Sequence, residues 1–207
     1  MKWLVFVLVC ACGGGESPGG VDGSPGDGSP GDDSLGLSDG STTPDTTNPD
    51  TRLYPLEVGY SWIYNVTSTY PSCPGGQREQ KVLGTATKDG RSTYEVKSFC
   101  GGTSGFSHAV GDRVENYYDW GPIGWYRMTD EPVADGHTWT TTNGSATFTQ
   151  TYDDIGTHAG HTGCWKVTQN VSYTSYWIYC RGTGLVFYEI IDLAGGTIRA
   201  ELVSNSF

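Results

Sequence analysis

The sequence predicts an all-β domain, an antiparallel meander that forms a barrel, a half-barrel or a sandwich. Residues 51–207 are rich in Thr, Ser and Gly, and they hold six Trp and thirteen Tyr. Aromatic and β-branched residues favour strands, and no stretch has the apolar spacing that marks a helix. About ten short alternating segments are separated by turn signals at roughly regular spacing, which is typical of these folds.

The first strand is predicted over residues 61–69, where Trp62, Tyr64 and Val66 fall on one face and polar residues on the other. Shorter strands are predicted over 105–110, 113–119 and 123–128. A loop with proline and glycine breakers follows over 129–136.

Four hairpins are predicted where two alternating runs flank a short turn. Asp-Gly or Asn-Gly between such runs is a strong hairpin signal. The predicted pairs are 79–87 with 91–100 around Asp89-Gly90, 137–142 with 146–152 around Asn143-Gly144, 163–171 with 175–181, and 185–193 with 197–204 around Gly195-Gly196. Between the second and third pairs, Gly156, Gly160 and Gly163 predict a flexible loop.

The N-terminal residues 1–11 have the pattern of a secretory signal. Lys2 precedes a short apolar run, which is far below the roughly 20 residues needed to cross a bilayer. The segment Val9-Cys10-Ala11-Cys12 resembles the lipobox of bacterial lipoproteins. The resemblance implies that Cys12 carries a thioether-linked lipid and an acylated amino terminus. Gly13 then implies an outer-membrane or cell-surface location, and an ordinary cleaved signal is the alternative.

Residues 12–50, which begin with the lipidated cysteine, are predicted to be a disordered linker of Gly, Ser, Pro, Asp and Thr. Too few apolar residues occur there to offset the entropy cost of ordering the chain. Residues 13–50 hold eight acids and no base, whereas residues 51–207 hold 15 acids and 11 bases. The net charge of −11 is therefore concentrated in the linker, and the absence of a basic patch in the sequence argues against a nucleic-acid partner.

Four cysteines lie in the predicted domain: Cys73, Cys100, Cys164 and Cys180. In an exported protein they predict two disulfides with three connectivities open. The hairpin centred near residue 172 places Cys164 opposite Cys180, which leaves Cys73 for Cys100. The domain contains no Cys-x-x-Cys pair, so a cysteine metal site is not indicated, and no cofactor is predicted.

Three short pieces of the domain carry a second resemblance: Tyr54-Pro55-Leu56 through Trp62 and Tyr64, Gly136 with Trp139, and Gly182 through Glu189 with Gly195-Gly196-Thr197 and Glu201-Leu202. They resemble secreted bacterial lipoproteins with a β-meander domain, a family without an assigned activity. The layout alone is similar to the open half-barrels that carry lipids or lipoproteins in the bacterial envelope.

Catalysis is not predicted. Asp153, Asp154, His158 and His161 have side chains that ligate zinc or copper, but the predicted glycine-rich loop would not hold them together, so no metal is assigned. A Gly-x-Ser-x-Gly nucleophile motif is absent from the sequence. The carboxylates that a glycosidase would use are not distinguishable by sequence; they include Glu57, Glu95, Glu115 and Asp119.

The aromatic residues offer a binding hypothesis, with Trp120, Trp125, Tyr126 and Trp177 as candidate ligand contacts. Exposed rings stack on sugars or form a partner surface, and rings inside an open barrel could line a lipid cavity. The alternative is that they fill the core. The sequence therefore predicts a lipid-anchored envelope protein that displays a non-catalytic domain for a binding or structural role. A half-barrel carrier of an apolar ligand and a carbohydrate-binding module are the alternatives.

Overall fold

A computed structural model describes residues 50–102, 105–118, 123–143 and 146–207. These residues contain twelve β-strands and no helix, and the predicted all-β class is confirmed. The predicted signal peptide, Cys12 and the linker up to residue 49 lie outside the described residues. No helix in the described part of the chain is long and apolar enough to cross a membrane.

All twelve strands form one antiparallel sheet. Strands that are consecutive in the chain are neighbours in the sheet, except β6 and β7, which lie at its two ends. The sheet order is β6-β5-β4-β3-β2-β1-β12-β11-β10-β9-β8-β7, so β1 pairs with β12 and the two halves of the chain extend in opposite directions. The strands are β1 Ser61–Ser68, β2 Gly76–Lys88, β3 Arg91–Lys97, β4 Gly105–Val110, β5 Arg113–Tyr118, β6 Gly124–Thr129, β7 Thr138–Asn143, β8 Ala146–His158, β9 His161–Asn170, β10 Thr174–Cys180, β11 Gly184–Ile191 and β12 Thr197–Ser206.

The sheet curls into a nearly closed barrel, with β6 and β7 as its two ends. Side chains join these ends: the backbone N–H of Arg127 donates to Thr141 Oγ1 at 2.9 Å, and Trp139 Nε1 donates to the Arg127 carbonyl at 3.5 Å. The sequence left barrel, half-barrel and sandwich open, and the structure selects the barrel-shaped meander.

Aromatic side chains fill the interior of the barrel. The predicted inward face of β1 is confirmed, since Trp62 and Tyr64 are 0% exposed and Val66 is 3% exposed. Buried ring polar groups find partners: Trp62 Nε1 donates to the Thr183 carbonyl and Tyr64 OH to the Leu185 carbonyl. Such partners offset the cost of burying Trp and Tyr polar atoms.

One predicted loop is a hairpin instead. The prediction for the region after residue 152 was wrong, because β8 continues to His158 and β9 starts at His161. The turn consists of Ala159 and Gly160, both with positive φ, and register irregularities near Gly156 let the strands twist through the glycine-rich stretch.

Both cysteine pairs stand at disulfide distance, in the connectivity that the hairpin register favoured. Cys164 and Cys180 are Cα partners on β9 and β10, with their sulfurs 1.99 Å apart. Cys73 and Cys100 have sulfurs 2.01 Å apart and link the segments that precede β2 and follow β3.

Candidate functional site

The four rings proposed as ligand contacts have different surroundings. Tyr126 and Trp177 are each 1% exposed and belong to the barrel core. Trp125 is half-buried on the other side of the sheet from Tyr126, and Trp120 lies outside the described residues. Of the described candidates, Trp125 is therefore the one placed to meet a ligand from solvent.

The buried position of Tyr126 and Trp177 is stabilised by hydrogen bonds. Tyr126 OH donates to Gln169 Oε1 at 2.6 Å and accepts from Gln150 Nε2 at 2.8 Å. Trp177 Nε1 donates to the Met128 carbonyl at 3.4 Å. Burial raises the pKa of the Tyr126 hydroxyl well above its ordinary value. These two rings are part of the packed interior. This agrees with the alternative that the aromatic residues fill the core, and not with a ligand role.

Trp125 belongs to a surface that we call the cationic face, on the outside of β4, β5, β6 and the β2–β3 turn. Its members are Lys88, Arg91, Phe106, Arg113, Glu115, Tyr117, Trp125 and Arg127. The strand register creates it, because Phe106, Tyr117 and Trp125 are successive Cα partners across β4, β5 and β6, and Glu115 pairs with Arg127. Since side chains alternate between the two faces, their neighbours in sequence point inward.

The rings of this face lie under cations. The Arg91 guanidinium carbon is 4.7 Å from the centre of the Trp125 ring, and Lys88 Nζ is 4.3 Å from that of Tyr117. Tyr117 and Trp125 meet edge to face with centroids 5.2 Å apart. Cation–π and edge-to-face contacts of this kind fix side chains in place on a surface.

Glu115 is the anionic centre of the cationic face. Its carboxylate accepts from Arg91 Nη1 at 2.6 Å and from Arg113 Nη2 at 2.7 Å, and Arg127 Nε lies 3.6 Å away. Burial acts to raise the pKa of Glu115, but the hydrogen bonds and charges of Arg113 and Arg91 outweigh it and hold that pKa below its ordinary value. One carboxylate thus holds two guanidinium groups by hydrogen bonds and lies near a third.

A second feature is a groove of about 610 Å³ along β8, β9 and β10. Its lining includes Asp153, Lys166, Thr168, Asn170 and Tyr176. Thr168 Oγ1 donates to Asp153 Oδ2 at 3.3 Å, and Lys166 Nζ lies 4.5 Å from the centre of the Tyr176 ring. Four of the lining side chains thus contact each other in pairs.

The carboxylate and histidine candidates do not converge. Asp153 and Asp154 are exposed on β8, and His158 and His161 face each other beside the β8–β9 turn. Within the described ranges, no three His, Cys, Asp or Glu side chains are grouped as a metal site requires. Glu57 precedes β1, Glu95 lies on β3 and Glu115 on β5, and Asp119 is outside the described residues.

Sequence reasoning named Trp125 but missed the arginines around it. Arg91, Arg113 and Arg127 occur on three different strands, and only the pairing of β3 to β6 brings them to one carboxylate. The available signal was the alternation of Glu115 and Tyr117 on one side of β5, which predicts that both share a face.

Comparisons with known proteins assign no family. No protein-family model matches the chain, and no curated protein matches it. A crystal structure of a candidate lipoprotein from Parabacteroides distasonis is similar at 13% identity and a TM-score of 0.37, covering 75% of this chain and 99% of the other. At this level of similarity the two chains need not share a fold or a function.

Proposed function

We propose that this chain is a lipid-anchored protein of the cell envelope that displays its β domain as a non-catalytic binding module. The observation that carries the binding role is the position of Tyr117 and Trp125 outside the barrel, under ordered cations, whereas the largest fully buried side chains are headed by rings such as Trp62, Trp177 and Tyr64. A surface ring that the core does not require is available for a partner.

Export is supported by the two disulfides, since such bonds persist in oxidising compartments. Anchoring through Cys12 rests on its lipobox-like sequence. Lipid attachment by several acyl chains makes membrane binding stable, whereas one chain gives marginal binding. The outer membrane or cell surface is the proposed destination because Gly13 follows Cys12.

Metabolic labelling tests the anchor. The full chain is expressed in a bacterium that processes lipoproteins and is fed labelled palmitate. We expect label in the wild type and in Cys10→Ala, the matched control, and none in Cys12→Ala. Label retained in Cys12→Ala would overturn the proposed attachment site, and fractionation of the mature protein to the inner membrane would overturn the proposed location.

Carbohydrate is the ligand class that the cationic face favours, because sugars present a C–H face to aromatic rings and hydroxyl groups to charged donors. A glycan array probed with the detergent-solubilised full chain tests this. Signal that is lost in the Tyr117→Ala, Trp125→Ala double variant, and kept in Tyr176→Ala, supports a binding module. Tyr176 is a suitable control because it is also an outward ring beneath a lysine.

A carrier role for an apolar ligand is less well supported. The barrel interior, where such a ligand would be enclosed, contains closely packed rings: Tyr54 lies 5.7 Å from Trp62 and 5.4 Å from Tyr179 between ring centres. Native mass spectrometry of the exported protein would detect a bound lipid as extra mass.

A further inference from the structure

We propose that the cationic face binds an acidic polysaccharide, with guanidinium groups taking the carboxylates of successive uronic-acid units and Tyr117 and Trp125 taking the sugar faces. This rests on the binding role proposed above and names its ligand class. The argument begins with the balance of charge.

Two arginines elsewhere in the described domain are each outnumbered by acids. Arg199 lies beside both Glu189 and Glu201, and Arg52 beside both Asp50 and Glu57. Around Glu115 the ratio is reversed, since Arg91, Arg113 and Arg127 surround one carboxylate. Among the described residues, Glu115 is the carboxylate that three guanidinium groups share. Residues 51–207 hold 15 acids and 11 bases, so a local excess of cations there stands against the composition of the domain.

The acids around the cationic face lie at its rim. Asp130 is 3.2 Å from Arg127 Nη1, Asp89 follows Lys88 in the β2–β3 turn, and Glu95 is the Cα partner of Phe106. Arg91 and Arg113, at the centre of the surface, each pair with Glu115. At the centre, Glu115 is paired with Arg91 and Arg113 and approached by Arg127, so a ligand there would meet more positive than negative charge.

The arginines are held in place and still have donors to offer. Arg91 bonds Glu115 through Nη1, and its guanidinium lies over the Trp125 ring. Its side chain is 39% exposed and that of Arg113 is 41% exposed. A guanidinium has five N–H donors, so a contact through one nitrogen leaves a fork that fits a second carboxylate. Ordering by Glu115 lowers the entropy cost of binding.

The arrangement of rings favours a sugar chain over other anions. Phe106, Tyr117 and Trp125 form a row across three adjacent strands, and strands lie about 4.8 Å apart. A row of rings and cations on a sheet suits an extended polymer that alternates apolar sugar faces with carboxylates. A nucleic acid would need a broader basic surface, and an acidic peptide offers carboxylates without flat apolar faces.

The test compares polygalacturonate with its fully methyl-esterified form, using the detergent-solubilised full chain on a biosensor surface. The two polymers share a backbone and differ in the negative charge of the carboxyl groups. We expect the acid to bind at least about tenfold more tightly than the ester, since charge-assisted hydrogen bonds are lost in the ester, and we expect added salt to weaken binding of the acid.

Variants assign the binding to the cationic face. Arg91→Gln with Arg113→Gln should remove the preference for the acid, and Arg91→Lys should weaken binding while keeping the charge beside Glu115. Arg199→Gln is the matched control, because Arg199 also lies over an outward ring, 5.0 Å from Phe187. Thermal melting of each variant checks that it is folded. If the Arg91→Gln, Arg113→Gln double variant does not fold, the Arg91→Lys variant still tests the proposal.

Each result separates this inference from the broader proposal. Equal binding of acid and ester would overturn the acidic ligand and keep a glycan-binding module. Equal binding of poly-glutamate or single-stranded DNA would overturn the carbohydrate class. Absence of binding to either polymer and to every glycan on the array would overturn both the inference and the proposed ligand class. If Arg199→Gln were the variant that lost binding while the others kept it, the binding site would lie near Arg199, on the other half of the barrel.

Discussion

Two regions on the outside of the barrel use the same side-chain types to different ends. One is the cationic face on β4–β6. The other, which we call the disulfide face, consists of Cys164, Ile178, Cys180, Val186 and Phe187 on β9–β11, where a second cluster of apolar residues is buried. Both place a cation over an aromatic ring.

The two faces differ in burial and in charge. Phe187 is 4% exposed beneath Tyr176, His158 and Arg199, whereas Trp125 remains half-buried. On the disulfide face two acids accompany one arginine, and on the cationic face three arginines accompany Glu115, with Asp130 beside one of them. The comparison indicates that a ring and a cation on a sheet stabilise the fold when they are covered and are available for recognition when they are not.

The sharpest test of this contrast replaces one ring on each face. Phe187→Ala should lower the free energy of unfolding by about 3–5 kcal/mol, the usual cost of removing a buried Phe. Trp125→Ala should lower it by about 1 kcal/mol, because that side chain is only partly buried. Urea unfolding followed by circular dichroism measures both. Equal losses would make Trp125 a core residue and remove the distinction.

The second test concerns the covalent bond of the disulfide face. Removing it in Cys164→Ala, Cys180→Ala should lower the free energy of unfolding by about 3 kcal/mol, as expected for closing a loop of this length. Glycan binding by the folded variant should be unchanged, since the cationic face lies on other strands. The Cys73→Ala, Cys100→Ala variant serves as the comparison, because its loop of 27 residues predicts a similar loss. An unchanged urea midpoint would contradict the prediction.

The strands were largely predictable from sequence, because a hairpin is a local event. Asp89-Gly90 forms the expected turn with positive φ at both residues, and β4 has the predicted bounds. The β8–β9 turn was not recognised, since Ala159 carries a side chain that rarely adopts positive φ and the glycines suggested a loop. Tertiary pairing imposed the hairpin there.

The site was less predictable than the strands, because it depends on which side of each strand faces inward. Trp125 and Tyr126 are adjacent in sequence, and one belongs to the surface while the other belongs to the core. The alternation of side chains along a strand shows that these two residues lie on opposite faces of the sheet, but only closure of the barrel shows which face is inside. The extra residue on β6, Met128, lies between the partners of Val114 and Glu115, and this irregular register places Arg127 opposite Glu115.

A third, smaller effect tests the electrostatics of the cationic face. Glu115→Gln removes the carboxylate that three arginines share, so we expect a loss of about 2 kcal/mol in the free energy of unfolding at pH 7. Because the pKa of Glu115 is lowered in the folded state, the stabilisation is present above its ordinary value of 4.5 and is lost as pH falls through the folded pKa.

The wild type and Glu115→Gln should therefore differ in urea midpoint at pH 7 and converge toward pH 3. Glu95→Gln, on the rim of the same face, is the control and should show a smaller difference at pH 7. A difference between wild type and Glu115→Gln that stays constant from pH 7 to pH 3 would show that the carboxylate is not stabilised by its charge.

The smallest expected effect is a shift in the pKa of His158, which reports how well the disulfide face excludes water. His158 contacts Phe187, with ring centres 5.5 Å apart, and burial lowers the pKa of its imidazole below the ordinary 6.5, with Glu201 opposing the shift and His161 and Arg199 adding to it. An NMR titration of the ring protons should therefore give a pKa below 6.5. Glu201→Gln should lower that pKa further, and Arg199→Gln should raise it.

The sign of the accompanying stability change follows from proton linkage. Since folded His158 binds a proton less readily than the unfolded chain does, stability falls as pH drops from about 6.5 through the folded pKa, and it is unaffected above that range. Phe187→Leu, which keeps an apolar cover of smaller size, should bring the pKa of His158 closer to 6.5 as solvent approaches the imidazole. A His158 that titrates at its ordinary pKa in the wild type would mean that water already reaches this ring, and that the two outer faces differ in charge alone.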